Sequence, residues 1–161
     1  MKVKNLFSRT LLAAAVSTCA IMFACKKSDD DIPQLRSQEY SLSPVGASHI
    51  TGKVTFTENA DKSFNVKVAL DSSVKDTVHV MHIHNGSVSS PGDIAIPLSS
   101  ITGTGAAASA ETRNINTALM NEATVPLTYD SVLVYNGYLN VHYSAARTDS
   151  LIAQTNIGKN K

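Results

Sequence analysis

From about Gln38 onward, apolar residues recur at every second position in short runs broken by turn residues. Over 50–57, Ile50, Val54 and Phe56 share one parity, with Thr51, Lys53, Thr55 and Thr57 on the other. Over 63–71, Phe64, Val66, Val68 and Leu70 alternate with Ser63, Asn65, Lys67, Ala69 and Asp71. A period of 2 is that of a strand with one wet face. Asn59-Ala60-Asp61-Lys62 predicts a hairpin between these two runs. A third strand is expected from Thr77 to His84, closed by Asn85-Gly86, and a fourth from Asp93 to Ser99, opened by Pro91-Gly92. Gly137 to Ser144 alternates Leu139, Val141 and Tyr143 against Asn140 and His142, and Leu151 to Ile157 reads as a last strand. Helical patterns are confined to two short segments, Ile115 to Glu122 and Tyr129 to Tyr135. The stretch Ser99 to Ser109, rich in Gly, Ala, Ser and Thr, is a loop or a weak strand. Strands at near-regular spacing predict an antiparallel β-sandwich or barrel over residues 38–161.

The N-terminal segment follows a different pattern. Lys2, Lys4 and Arg9 precede an apolar run from Leu11 to Ala24, interrupted by Ser17, Thr18 and Cys19. A basic start followed by an apolar run too short to span a bilayer reads as a secretory signal over residues 1–24. The run ends in Ile21-Met22-Phe23-Ala24-Cys25, which resembles the lipobox of bacterial lipoproteins. That resemblance implies a lipidated Cys25 as the mature N-terminus, outer-membrane anchorage and a place in the bacterial cell envelope. An ordinary signal peptide is the alternative. Residues 25–37 then form a polar linker that buries too little to fold alone. Its Asp29-Asp30-Asp31 resembles the surface-export signal of some Gram-negative lipoproteins, with a plain solvated linker as the alternative.

Composition mainly excludes. The 161 residues are 43% hydrophobic and 17% charged, which favours a packed core over disorder. The net charge is +1, and removal of the signal takes three positive charges and no negative one, leaving −2. Neither value suits nucleic acid. Two cysteines do not make a disulfide scaffold, and acylation of Cys25 would leave no free thiol in the mature chain. No nucleophile elbow or carboxylate pair is legible, and Gly103-Thr104-Gly105 lacks the third glycine and the helix of a phosphate loop.

The histidines carry the candidate chemistry. In His82-Ile83-His84, two side chains leave the same face of one strand, so their imidazoles point to a common place. Imidazole suits zinc, copper, iron and nickel. Two ligands rarely hold an ion, and His142, on a polar strand face beside Asn140, is the candidate third. The alternative is a pair of partly exposed histidines bonded to neighbours. His79 has the opposite parity and points away from such a site, and His49 has no partner in sequence.

Val80-Met81-His82-Ile83-His84-Asn85-Gly86, Gly92-Asp93-Ile94-Ala95-Ile96-Pro97-Leu98 and Gly137-Tyr138-Leu139-Asn140-Val141-His142-Tyr143 together resemble the CHRD domain. That domain was defined in the developmental regulator chordin and also occurs in bacterial secreted proteins. The resemblance covers about residues 45–158. One block departs: where the family closes on a Gly-Glu-Ile-Arg-Gly-Gln-like strand, this chain has Asp149-Ser150-Leu151-Ile152-Ala153-Gln154-Thr155. The resemblance implies an immunoglobulin-like, superoxide-dismutase-like β fold. By analogy with that enzyme it implies a copper-type set of His82, His84 and His142, without the bridging histidine, zinc cluster or disulfide of full dismutase machinery.

Three functions compete at this point. The favoured one is a non-enzymatic, membrane-anchored cell-envelope binding module whose ligand the sequence does not name, with an envelope or extracellular protein as the candidate partner. The second is a copper- or zinc-binding protein with a three-His site. The third is a structural envelope protein whose histidines serve hydrogen bonds.

Overall fold

The computed structural model describes residues 34–161. Cys25, the signal segment 1–24 and most of the linker lie outside the described residues. The strands are β1 (Ser37–Pro44), β2 (Gly52–Glu58), β3 (Phe64–Leu70), β4 (Val78–Ser87), β5 (Ser90–Thr102), β6 (Ala108–Ile115), β7 (Thr117–Met120), β8 (Ala123–Pro126), β9 (Asn136–Ser144) and β10 (Arg147–Gly158), with one short helix, α1 (Tyr129–Leu133). Eight strands form one sheet in the order β5-β4-β9-β10-β1-β2-β3-β6, and β7 and β8 make a separate hairpin. Every neighbouring pair is antiparallel. The sheet curls until its two edge strands approach: the Ser99 backbone N–H of β5 donates to Thr112 Oγ1 of β6 at 2.7 Å. The result is an antiparallel β fold that is nearly a closed barrel, in agreement with the expected class.

The alternation sets which side faces the core. Val54 and Phe56 of β2 and Phe64, Val66, Val68 and Leu70 of β3 are all buried, as their parity requires. Met81 and Ile83, Leu139 and Val141, and Tyr40 and Leu42 join the interior from β4, β9 and β1. Each such side chain contributes about 1.5–3 kcal/mol by leaving water. Tyr40 meets Phe56 edge-on at 5.6 Å, and Phe56 lies 5.9 Å from Phe64. The predicted hairpin turn is present. Asp61 Oδ1 accepts from the Ser63 N–H at 3.0 Å and from its hydroxyl at 2.6 Å, which fixes the turn between β2 and β3.

Three expectations are corrected. Ile115 to Glu122 is not helical: it holds the end of β6 and all of β7, with Asn114, Asn121 and Glu122 at positive φ. Asn85-Gly86 does not close its strand. β4 runs on to Ser87 through an irregularity in its pairing with β5, and Gly86 sits at φ 89° within it. Ser99 to Ser109 is neither one loop nor one strand, but the end of β5, a connection, and the start of β6. The second helical segment is real but short. Thr128 caps α1 by accepting from the Ser131 N–H, while the Ser131 hydroxyl accepts from the Thr128 N–H at 2.7 Å.

The chain joins this fold at Arg36. Its guanidinium makes two bonds of 2.7 Å to the Glu58 carboxylate, pairs with Asp130 at 2.8 Å, and lies 5.0 Å over the ring of Tyr129. The bidentate contact holds Glu58 below the usual carboxylate range.

Candidate metal centre

Two strands position the site, and hydrophobic register decides which way they face. On β4, Met81 and Ile83 are buried and pair with Val141 and Leu139 of β9. A slip of one residue would turn these side chains out of the core and the histidines into it, so the core fixes which face carries the histidines. That face carries His82 and His84 on β4, and Tyr138, Asn140 and His142 on β9. His82 stands opposite Asn140, and His84 opposite Tyr138.

The three predicted histidines come together. Each of His82, His84 and His142 offers one ring nitrogen, and these atoms lie within 4.8 Å of one another. His82 Nδ1 and His142 Nε2 are 3.3 Å apart. Bonds of about 2.0–2.1 Å to one ion in tetrahedral geometry set ligand nitrogens roughly 3.4 Å apart, so this pair already has the required spacing. His142 is buried, and the other two are half-buried. Among the described residues, no further His, Cys, Asp or Glu joins the cluster.

The backbone fixes the proton positions. His142 Nδ1 lies 2.6 Å from the Thr148 carbonyl oxygen, and His84 Nδ1 lies 3.1 Å from that of Gly92. A carbonyl only accepts, so both Nδ1 atoms carry the proton and both Nε2 atoms keep a lone pair. Metal-binding histidines are typically oriented in this way by a partner on the far nitrogen. Irregular pairing of β10 with β9 between Arg147 and Ala153 accompanies the Thr148 contact. Gly92 is small for a reason: a Cβ there would come within 2.6 Å of the Asn85 carbonyl oxygen, so a side chain would push its own carbonyl away from His84. Tyr138 stacks on the His84 ring at 4.9 Å and 22°.

Among the described residues, two buried side-chain polar atoms have no hydrogen-bond partner, His84 Nε2 and Asn140 Oδ1. Leaving a buried polar group unpaired costs about 1–3 kcal/mol, and such groups in folded proteins call for a bound ion, a water or a functional reason. Both atoms belong to the face that carries the three histidines.

Sequence parity also placed His79 correctly. It is fully buried, accepts from the Val74 N–H at 3.2 Å through Nε2, and donates to the Tyr143 carbonyl at 2.7 Å through Nδ1. Both its nitrogens are satisfied, so it serves the fold. His49 lies between β1 and β2 at φ 53° and takes no part in the cluster. The Thr148 and Gly92 carbonyls were not foreseeable as orienting groups, because a backbone acceptor has no residue code. Asn140 was visible as a polar residue on the right face.

Burial pushes His82 and His84 below the ordinary imidazole pKa. For His82, the neighbouring His142 and His84 add to this; for His84, the Gly92 hydrogen bond opposes it, His142 adds to it, and the Asp93 charge opposes it. Both are therefore neutral near pH 7, the form that binds metal. The consequence for stability has a definite sign. An unfolded histidine takes its proton near pH 6.5, before the folded one does. The stabilisation is therefore complete above about pH 6.5 and is lost as pH falls through the lowered folded values. Thermal melts of metal-free protein between pH 7.5 and pH 5 should show falling stability, with a shallower fall in a His82→Ala/His84→Ala double variant. Parallel curves for the two proteins would contradict this assignment.

Comparison with known protein families, with curated proteins and with solved structures finds no match to this chain.

Proposed function

We propose that this chain is a CHRD-type, lipid-anchored cell-envelope protein whose β domain binds copper or zinc through His82, His84 and His142. One observation carries the metal reading. Three imidazoles from two strands converge, and two of them have Nε2 lone pairs set by backbone carbonyls on the opposite ring nitrogen. Hydrogen bonds to neighbouring side chains and backbone do not account for the whole cluster, since His84 Nε2 finds no partner among the described residues. Neutral nitrogen donors suit copper and zinc over the oxygen-seeking magnesium and calcium. The envelope reading rests on the sequence: the basic start, the apolar run and Ala24-Cys25.

Calorimetric titration of copper and zinc into the protein, prepared without a histidine tag, tests the first part. Uptake of one ion per chain at pH 7.5 is the expected result, weakening as the pH falls through the lowered values of His82 and His84. Absence of uptake would return the chain to a metal-free binding module. The anchor is tested separately. Cys25→Ser should move the protein from the membrane fraction to the soluble fraction, because acyl chains contribute about 0.8 kcal/mol per buried CH₂. A variant that stays on the membrane with unchanged electrophoretic mobility would refute the lipidation.

A further inference from the structure

We infer that the ion held by the three histidines keeps one coordination position for a small ligand bearing a hydrogen, water in the first instance, and that Asn140 selects for that hydrogen. This inference rests on the three-His reading. Closed structural sites use four protein ligands, whereas three protein ligands leave a position for an exogenous one. Here the described residues supply three. His82 and His84 are half-buried, so the face is not sealed from solvent.

Asn140 is the polar group beside that position. Its residue is 7% exposed, and its Oδ1 is buried with no hydrogen-bond partner among the described residues. On β9 it lies two residues from His142 and on the same face. Across the sheet it stands directly opposite His82. Cross-strand neighbours of this kind have Cβ atoms about 4.5–5.5 Å apart. Asn140 therefore occupies the corner between two of the three ligands. A carboxamide oxygen only accepts. Water or hydroxide on the ion presents a hydrogen to it, and the positive charge of the ion strengthens that donor. An aprotic anion presents only lone pairs, which Oδ1 repels. Asn140 is thus a positioning residue that favours protic ligands over aprotic anions.

Azide is the probe, because its binding to copper(II) produces a charge-transfer absorption band. The full chain, without a histidine tag and loaded with copper(II) in chloride-free buffer, is titrated with azide. Asn140→Leu keeps the branched heavy-atom skeleton and removes the acceptor. It should bind the same one equivalent of copper and bind azide about three- to tenfold more tightly, the range of one net hydrogen bond. Asn140→Asp keeps the shape and adds a negative charge. It should bind azide more weakly than wild type, and it carries the test if the leucine variant does not fold. Unchanged or weaker azide binding by a folded Asn140→Leu would overturn the inference, as would an Asn140→Asp that binds azide like wild type. Copper uptake with no azide band in any of the three proteins would overturn the open position while leaving the three-His site intact. No copper uptake would remove both.

Discussion

His142→Ala is expected to weaken copper or zinc binding by more than about 100-fold. Losing only the group that orients a metal-bound histidine typically costs 10- to 100-fold, and removing the ligand itself costs more. His142 is also the least exposed of the three and, among the described residues, the sole candidate ligand on β9, and its Nδ1–H is fixed by the Thr148 carbonyl. Without it, His82 and His84 remain as two ligands on one strand. Competition against a chelator of known affinity measures the change, with His49→Ala as a control that should bind normally. Equal affinity in wild type, His82→Ala and His142→Ala would remove the site.

Phe64→Ala should cost about 3–5 kcal/mol of folding stability, the range for removing a large aromatic ring from a packed interior. Phe64 has no exposure, leans on Phe56, and pairs with Glu58 on one side and Ile115 on the other. It sits where β6 changes register against β3, so the surrounding backbone is already irregular and has two neighbouring strands to hold in place. A domain of this size should lose roughly 10–20 °C in melting temperature. Melting is best followed with a chelator present, because a bound ion would add stability of its own. A cost below about 1 kcal/mol, the level of ordinary surface changes, would mean that the ring is not packed as described.

How much of this was legible in the sequence depended on length and on which atoms do the work. The Phe64–Leu70 run is seven residues of strict alternation, enough for the period to determine both strand and inward face. β7 has four residues, and Ile115, Ala118 and Leu119 happen to fall at helical spacing, so the short segment was misread. β1 escaped for a related reason: only Tyr40 and Leu42 of its eight residues are buried, and the rest are polar or small. At Asn85-Gly86 the turn signal was genuine chemistry put to another use. Asn85 lies within β4, accepts from the Tyr135 hydroxyl, and donates to the Leu119 carbonyl at 3.1 Å, tying that strand to β7. The site followed from parity, since His-x-His on a strand shares one face whatever its neighbours are. The identity of the adjoining strand, and the carbonyls that set the tautomers, came from topology and backbone irregularity.

The near-closure of the barrel also bears on self-association. An open sheet ends in rows of free N–H and C=O groups that recruit strands from other molecules. In this chain one edge strand, β5, contains Pro91 and Pro97, which have no N–H to offer a visitor. The other, β6, displays Glu111 and Arg113, bonded to each other at 2.7 Å. Between them, Thr112 already takes the Ser99 N–H. A domain whose two edges answer each other in this way resists templating by identical copies even when many are held side by side on a surface.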